Sequence, residues 1–547
     1  MSILHRIRRD RYRASVSAGD QGDFQTTFVK DGNLHYAVEK GENSEEPSYQ
    51  EVSGAPVESR SPLGYHVGAV TITFLNLSKM VGTGVYSTPA SVLKGTGSVG
   101  LALIWWTIGF FMSAAGLSVY LEFASYFPHR SGSEAVYLEQ AFPRPRYLFP
   151  VAFAIQSVLL SFSSSNAIVM ANYLFRISTH TPSDWEVKGL AVGVYSLAFL
   201  TVVFSTKWSY RISNAIGFIK LLTLIFVAIT GLVVLGGNVS RVPDPHANFR
   251  DSFSGFEGTS ASPYGITNAL YKIYFSYAGY ENAFNVVNEV KNPVRSIRNS
   301  GGLSLLVVAI LYILANVAYF SAVPKEELVQ GKTIAASLFF QHVFGPGKAV
   351  RGLNILIAIS AFGNLLAVLL GSSRLIRECG RQGTLPYANF WATPFRPQHL
   401  PTSFFNFCMA VGLYFTRRSR KRLNIPAPSK RASFRTWHVA ILFTIAVNLF
   451  MLIMPWYPPT SGATGGDVSF WYATYVVTGI GILLACGAYY VVWVYALQGG
   501  KGIALVKVPL TRLDLWDQEH DAQGAKVGGR GSSDEDEVVD VSGKNQL

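Results

Sequence analysis

The chain has 547 residues, 49% hydrophobic and 14% charged, with a mean hydropathy of +0.26. That is too apolar and too poor in charge for a soluble globular domain, which leaves a polytopic membrane protein. A net charge of +13 and a pI near 9.4 do not mark a nucleic-acid partner. The basic residues lie in short loops and at the N-terminus, where they orient a membrane protein instead.

Residues 1–64 are polar and mixed in charge. MSILHRIRRDRYR lacks the apolar stretch of a signal peptide, and GENSEEPSYQE cannot bury enough apolar area to fold, so the sequence predicts a disordered cytosolic tail. A transmembrane domain over 65–498 follows, and residues 499–547, with GGRGSSDEDE, read as a second, mostly disordered cytosolic tail. Apolar runs of about 20 residues, enough to cross about 30 Å of hydrocarbon, predict spans near 67–93, 99–126, 147–175, 187–205, 213–236, 264–288, 301–323, 350–372, 402–416, 437–456 and 469–497. Loops after the second, fourth, sixth and eighth spans are richer in basic residues, among them Arg144, Lys207, Arg295 and Arg377, which places the N-terminus inside.

The first span contains MVGTGVYSTP at residues 80–89. Gly82 and Gly84 each weaken a helix by about 1 kcal/mol relative to alanine, and Pro89 removes a backbone donor. In lipid, unwound backbone survives only where protein buries it or it lines a polar cavity; the alternative is close helix packing through small residues. The sixth span has a second interruption, YFSYAGYENAFN at 274–285. Breaks in corresponding spans of two repeats point to the midplane site of a secondary transporter, and a repeat of five makes the second copy inverted. The glycines would free amide N–H groups and a positive helix end for an anionic group. Carbonyls at Phe275, Ser276 and Ala278 would hold a cation, so a zwitterion fits both.

Two ionisable residues lie deep in these spans. Lys220 in the fifth either faces the protein interior or snorkels to the interface. Glu281 either exchanges a proton or braces the broken backbone. Glu122, near the end of the second span, reads as a partner for basic loops. Asn166 and Asn172 make the third span polar, to line a cavity or to pack.

An enzyme finds little support. GTGVYS lacks the third glycine of a dinucleotide fingerprint and the Gly-Lys-Ser/Thr end of a phosphate loop. Cys379, Cys408 and Cys486 have no metal-ligand spacing, so neither a metal nor a cofactor is expected. A sensor or scaffold that keeps the site without transporting remains the competing class.

The motif MVGTGVYSTP resembles the first-helix glycine motif of the amino acid/polyamine/organocation transporters. FSYAGYENAFNVVNEVKNPVRSIRNS is similar to their sixth helix and following loop, and LANVAYFSAVPKEEL and SRLIRECGRQGTLP resemble the seventh-helix end and the loop after the eighth. Within the superfamily the pattern resembles the L-type branch, and there most of all the fungal high-affinity methionine permeases, over about residues 65–497. The resemblance implies an all-α fold of five plus five inverted helices and import of a neutral L-amino acid such as methionine, coupled to protons, by alternating access at the plasma membrane. It implies a substrate carboxylate at Gly82, Thr83 and Gly84, an amino group at Phe275, Ser276 and Ala278, and Phe275 as the extracellular gate. It places Lys220 where sodium-coupled relatives bind an ion, as a proton-coupling or structural cation. Relatives have an amide or apolar residue where this chain has Glu281, which leaves room for a cationic substrate.

The family has twelve spans and this chain about eleven. Only PTSFFNFCMAVGLYF separates the loop after the eighth span from RRSRKR, so the family's ninth helix is missing, at a junction near His399 to Thr402. A single crossing there would put Arg417, Arg418, Arg420, Lys421 and Arg422 outside, against the positive-inside rule. Either this segment is re-entrant or the C-terminal half is reversed; a mis-assigned exon boundary or a truncated transcript at that junction is the simpler explanation, and a real eleven-helix, inactive permease form the alternative.

Overall fold

The computed structural model describes residues 26–31, 34–39 and 48–51, and then 67–492 apart from 128–131, 143–144, 146–147, 160–163, 179, 181, 205, 256–261, 291–292, 331–334, 382–402, 423–432, 460–461 and 463–470. Near the N-terminus three strands, β1 (Thr26–Asp31), β2 (Leu34–Glu39) and β3 (Ser48–Glu51), pair antiparallel in that order, where composition predicted disorder. The sequence Asp31-Gly32-Asn33 is a strong hairpin signal, and this local chemistry outweighs the low apolar content around it.

The membrane body is helical. The first span divides into α1 (Ala69–Met80) and α2 (Gly84–Thr96), with Gly97 in the left-handed region at φ 84° ending the second half. Next come α3 (Val99–Tyr126) and the short α4 (Glu134–Ala141). The third apolar segment forms two helices, α5 (Leu148–Leu159) and α6 (Ser164–Ser178), followed by α7 (Asp184–Phe204) and α8 (Thr206–Leu235). The sixth span divides again, into α9 (Pro263–Tyr277) and a 3-10 helix at Asn282–Glu289. Beyond it lie α10 (Pro293–Ala322), α11 (Lys325–Gln330), α12 (Ala335–Phe344), α13 (Lys348–Arg381), α14 (Ser403–Arg422), α15 (His438–Ile453) and α16 (Thr474–Val491).

Among the described residues six helices are long and apolar enough to cross a membrane: α3, α7, α8, α10, α13 and α15 with the turn after it. The halves of the first and sixth spans fall short only because each is interrupted. Exposed Val192, Leu197 and Phe204 on α7 and Phe218, Leu222 and Ile229 on α8 form apolar surface suited to lipid.

Hydrogen bonds fix which ends share a face. Val67 N–H donates to Glu289 O at 3.2 Å, the Tyr210 hydroxyl to Glu289 Oε2 at 3.0 Å, and Arg374 Nε to Glu289 Oε1 at 2.8 Å. The starts of α1 and α8, the end of the sixth span and the late part of α13 therefore lie together. At the other face Asn248 Nδ2 donates to Phe320 O and Val323 O at 2.7 Å each, and Gly100 N–H donates to Ser252 O at 2.7 Å.

The position of α14 follows from Glu122, near the end of α3. Its carboxylate accepts from Arg417 Nε at 2.7 Å, Arg417 Nη2 at 2.6 Å, the Tyr126 hydroxyl at 2.7 Å and Thr436 N–H at 2.7 Å. This matches the expected pairing with a basic segment. It also puts the end of α14 and the start of α15 at the face where α3 and α13 end. Asn406, near the start of α14, reaches inward to the Tyr274 hydroxyl on α9 at 2.6 Å. Among the described residues α14 thus runs from the level of the sixth-span break to the face where α3 ends. α15 then runs to the opposite face, where the Tyr271 hydroxyl donates to Met451 O, and α16 returns to pack Tyr490 on Val151 of α5. The junction near His399 to Thr402 lies outside the described residues.

Candidate substrate site at the two helix breaks

The breaks face one another. A side chain on Gly84 would bring its Cβ within 2.7 Å of Ser276 Oγ, so α2 and α9 pack in contact at that point. The Tyr312 hydroxyl on α10 lies 2.8 Å from Met80 O and 3.0 Å from Ser276 O, joining one carbonyl from each break. Asn76 completes the link: its Nδ2 donates to Tyr280 O and its Oδ1 accepts from Ala283 N–H, both at 2.9 Å. Gly279, at φ +135°, occupies backbone that other residues rarely adopt, and a Cβ there would strike the backbone of Lys79 and Met80.

An interrupted helix exposes carbonyls at its C-terminal end and N–H groups at its new N-terminal end. At the end of α1 the carbonyls find specific donors. Lys220 Nζ donates to Ser78 O and Val81 O at 2.7 Å each, Ser360 Oγ donates to Val81 O at 3.2 Å, and Asn364 Nδ2 donates to Lys79 O at 2.5 Å. At the start of α2 the situation is the reverse. Thr83 O accepts from Tyr86 and Ser87 N–H, whereas the N–H groups of Thr83, Gly84 and Val85 meet no acceptor among the described residues. Three free donors at a helix N-terminus suit a carboxylate.

Each residue expected at the site can now be located. Gly82, Thr83 and Gly84 form the first break; Gly82 and Gly84 are buried and Thr83 is half-buried. Ser276 is buried beside Gly84, with its Oγ 3.4 Å from Thr88 Oγ1. Ala278 caps α9 in an extended conformation, and its N–H donates to Phe275 O at 3.2 Å, which occupies one carbonyl expected to hold a cation. The Phe275 ring is 65% exposed. Lys220 is 1% exposed and faces the interior, its Cε close to Gly363 of α13, so it does not snorkel. Asn166 donates to Asn364 Oδ1 at 2.9 Å and so backs the first break, while Asn172 is exposed on its own helix.

Glu281 has a partner that sequence reasoning missed. Lys79 Nζ lies 2.8 Å from its Oε1, and Gly279 N–H donates to its Oε2 at 2.8 Å. One carboxylate thus braces the sixth-span break and ties it by charge to the first. The signal was present, since a lysine two residues before a glycine-rich break in an apolar run is costly unless paired. The partner stands 202 residues away in sequence and could not be inferred from local pattern.

A small cavity lies beside this region, lined among others by Tyr120, Tyr274, Tyr280, Asn406 and Asn448. It is adjacent to the sixth-span break and separate from the free donors of Thr83 to Val85.

The sequence profile of the family described as amino acid permease matches residues 67–404, which includes both breaks. The high-affinity methionine permease of Saccharomyces cerevisiae is 34% identical over 468 residues, 79% of this chain and 79% of its own length. The low-affinity methionine permease of the same yeast is 31% identical over 60% of this chain and 59% of its length. The human cystine/glutamate transporter is 27% identical over 57% and 60%.

Proposed function

The chain belongs to the amino acid permease family, and we propose that it is a secondary active carrier that imports a neutral L-amino acid, methionine or one of similar bulk, together with a proton. The observation that carries this reading is the set of free N–H groups at Thr83, Gly84 and Val85, opposite Ser276. The substrate carboxylate takes these donors, and its ammonium turns toward the Ala278 end of α9. The choice of a neutral substrate rests on the Lys79–Glu281 pair. Glu281 is engaged at both oxygens, so it offers no free anion to a cationic side chain. Alternating access follows from the two breaks, which let half-helices tilt about the site. The basic residues of the Glu289 face, together with Arg417 to Arg422, support a reading in which that face and the N-terminus are cytosolic, in a protein of the plasma membrane.

Uptake of labelled methionine into vesicles carrying the purified chain tests this reading, with unlabelled neutral and cationic amino acids as competitors. Neutral competitors are expected to inhibit and lysine and arginine are not. Binding of methionine without uptake would instead mark a sensor.

A further inference from the structure

The region around the breaks holds more buried acid than the Lys79–Glu281 pair accounts for. Glu134 opens α4, which connects two spans near the cytosolic face, and it is 8% exposed. Its Oε1 lies 2.6 Å from the Tyr120 hydroxyl, which is also 2.8 Å from Asn406 Oδ1 on α14. Asn406 continues through Tyr274 to the sixth span, and Tyr120 stacks edge-on against Tyr280, the residue before Glu281. The backbone that delivers Glu134 is strained: Ser133, not a glycine, stands at φ 44°, which persists only where surrounding structure imposes it. Asn448 Oδ1, buried and without a partner among the described residues, lines the adjoining cavity with Tyr120 and Asn406. The cavity measures about 10 Å³, room for about one water.

We propose that Glu134 carries the coupling proton of the transport cycle, with Lys79 as the one cation shared between Glu134 and Glu281. This rests on reading the chain as a proton-coupled carrier. Two buried carboxylates facing one ammonium cannot both ionise cheaply, so the carboxylate that Lys79 does not neutralise holds a proton. In the present structure Lys79 is with Glu281. Burial raises the Glu134 carboxyl above the ordinary glutamate range and the Glu281 charge adds to this, against the Tyr120 hydrogen bond and the Lys79 charge. Among the charges that act on it, Lys79 is the cation. Tyr137 neighbours Glu134 on α4 itself, Glu378 of α13 packs on Gly132, Arg417 of α14 is taken by Glu122, and α5 contributes no charge. When α1 tilts, Lys79 leaves Glu281 for Glu134 and the proton of Glu134 moves to Glu281, which conserves the net charge of the cluster; release of that proton to the cytosol leaves the cluster one unit more negative until a proton from the outside restores it.

The test uses the full chain in vesicles with methionine as probe, reading exchange without a pH gradient and accumulation with one. The parent is expected to do both, and Glu134→Gln, which keeps the bond to Tyr120, to keep exchange and lose accumulation down to the no-gradient level. Glu134→Gln that still accumulates like the parent overturns the proposal. So does a parent that exchanges but ignores the gradient, although the carrier reading then survives; a parent that does not exchange overturns that reading instead. If Gln abolishes exchange as well, Glu134→Asp decides, since a shifted pH dependence of exchange supports the proposal and an unchanged one overturns it.

Discussion

At the residue scale, Lys220 shows how position in a span underdetermines role. Its buried Nζ closes two carbonyls at the end of α1, and no carboxylate pairs with it among the described residues, so it acts as a cap for a helix that stops in mid-membrane. Removing it leaves buried acceptors unpaired, at a cost of about 1–3 kcal/mol each. Lys220→Met is therefore expected to lower the melting temperature of the detergent-solubilised protein by several degrees, with Lys220→Arg affected less. A melting temperature equal to the parent's would mean that the cap contributes nothing. Phe275 is a different case, because it is 65% exposed. Phe275→Ala is expected to leave stability unchanged and to raise the apparent Michaelis constant for uptake several-fold, and an unchanged constant would count against a lid.

At the element scale, the two broken helices are held as a pair by Lys79 and Glu281. Breaking a buried ion pair by removing one partner costs about 3–5 kcal/mol, whereas removing both charges costs much less. Lys79→Met alone is expected to unfold at markedly lower temperature than the parent, and Lys79→Met with Glu281→Gln to recover most of the loss. If the double variant is no more stable than the single one, the pair does not join the elements. The breaks themselves were legible in the sequence, because Gly82, Gly84 and Pro89 contradict an apolar helix at its centre. What closes the breaks was not. Tyr312 sits in an ordinary-looking apolar run, Asn76 in a plain helical turn, and Glu134 in a connecting loop; each matters through contacts between segments far apart in sequence. The N-terminal sheet was missed for the opposite reason, a local turn signal inside a polar stretch that composition alone assigns to disorder.

At the scale of the whole molecule, a re-entrant α14 reconciles an odd number of apolar segments with one orientation. Arg417 pairs with Glu122 at the face where α3 ends, so the basic run after it stays with the other basic loops. A cysteine placed at Ser419 should then react with an impermeant thiol reagent from the side opposite to one placed at Ser254, with the native cysteines removed. Labelling of both from the same side would reverse the C-terminal half instead. The sequence exposed this conflict through charge and length but left two solutions, and the contacts of Glu122 with Arg417 and Thr436 speak for the re-entrant one.

On the proposed function, the first break holds the amino acid carboxylate in a transport cycle. Counterflow of labelled methionine in vesicles, with the parent beside Gly84→Leu, tests this most directly, because it needs a site open alternately to both sides but no coupling ion. A leucine there meets Ser276 at once and fills the space over the free N–H groups. Trans-stimulated exchange is expected of the parent and none of a Gly84→Leu protein that is folded and reconstituted to the same density; equal exchange by the two would contradict a carboxylate site at the first break.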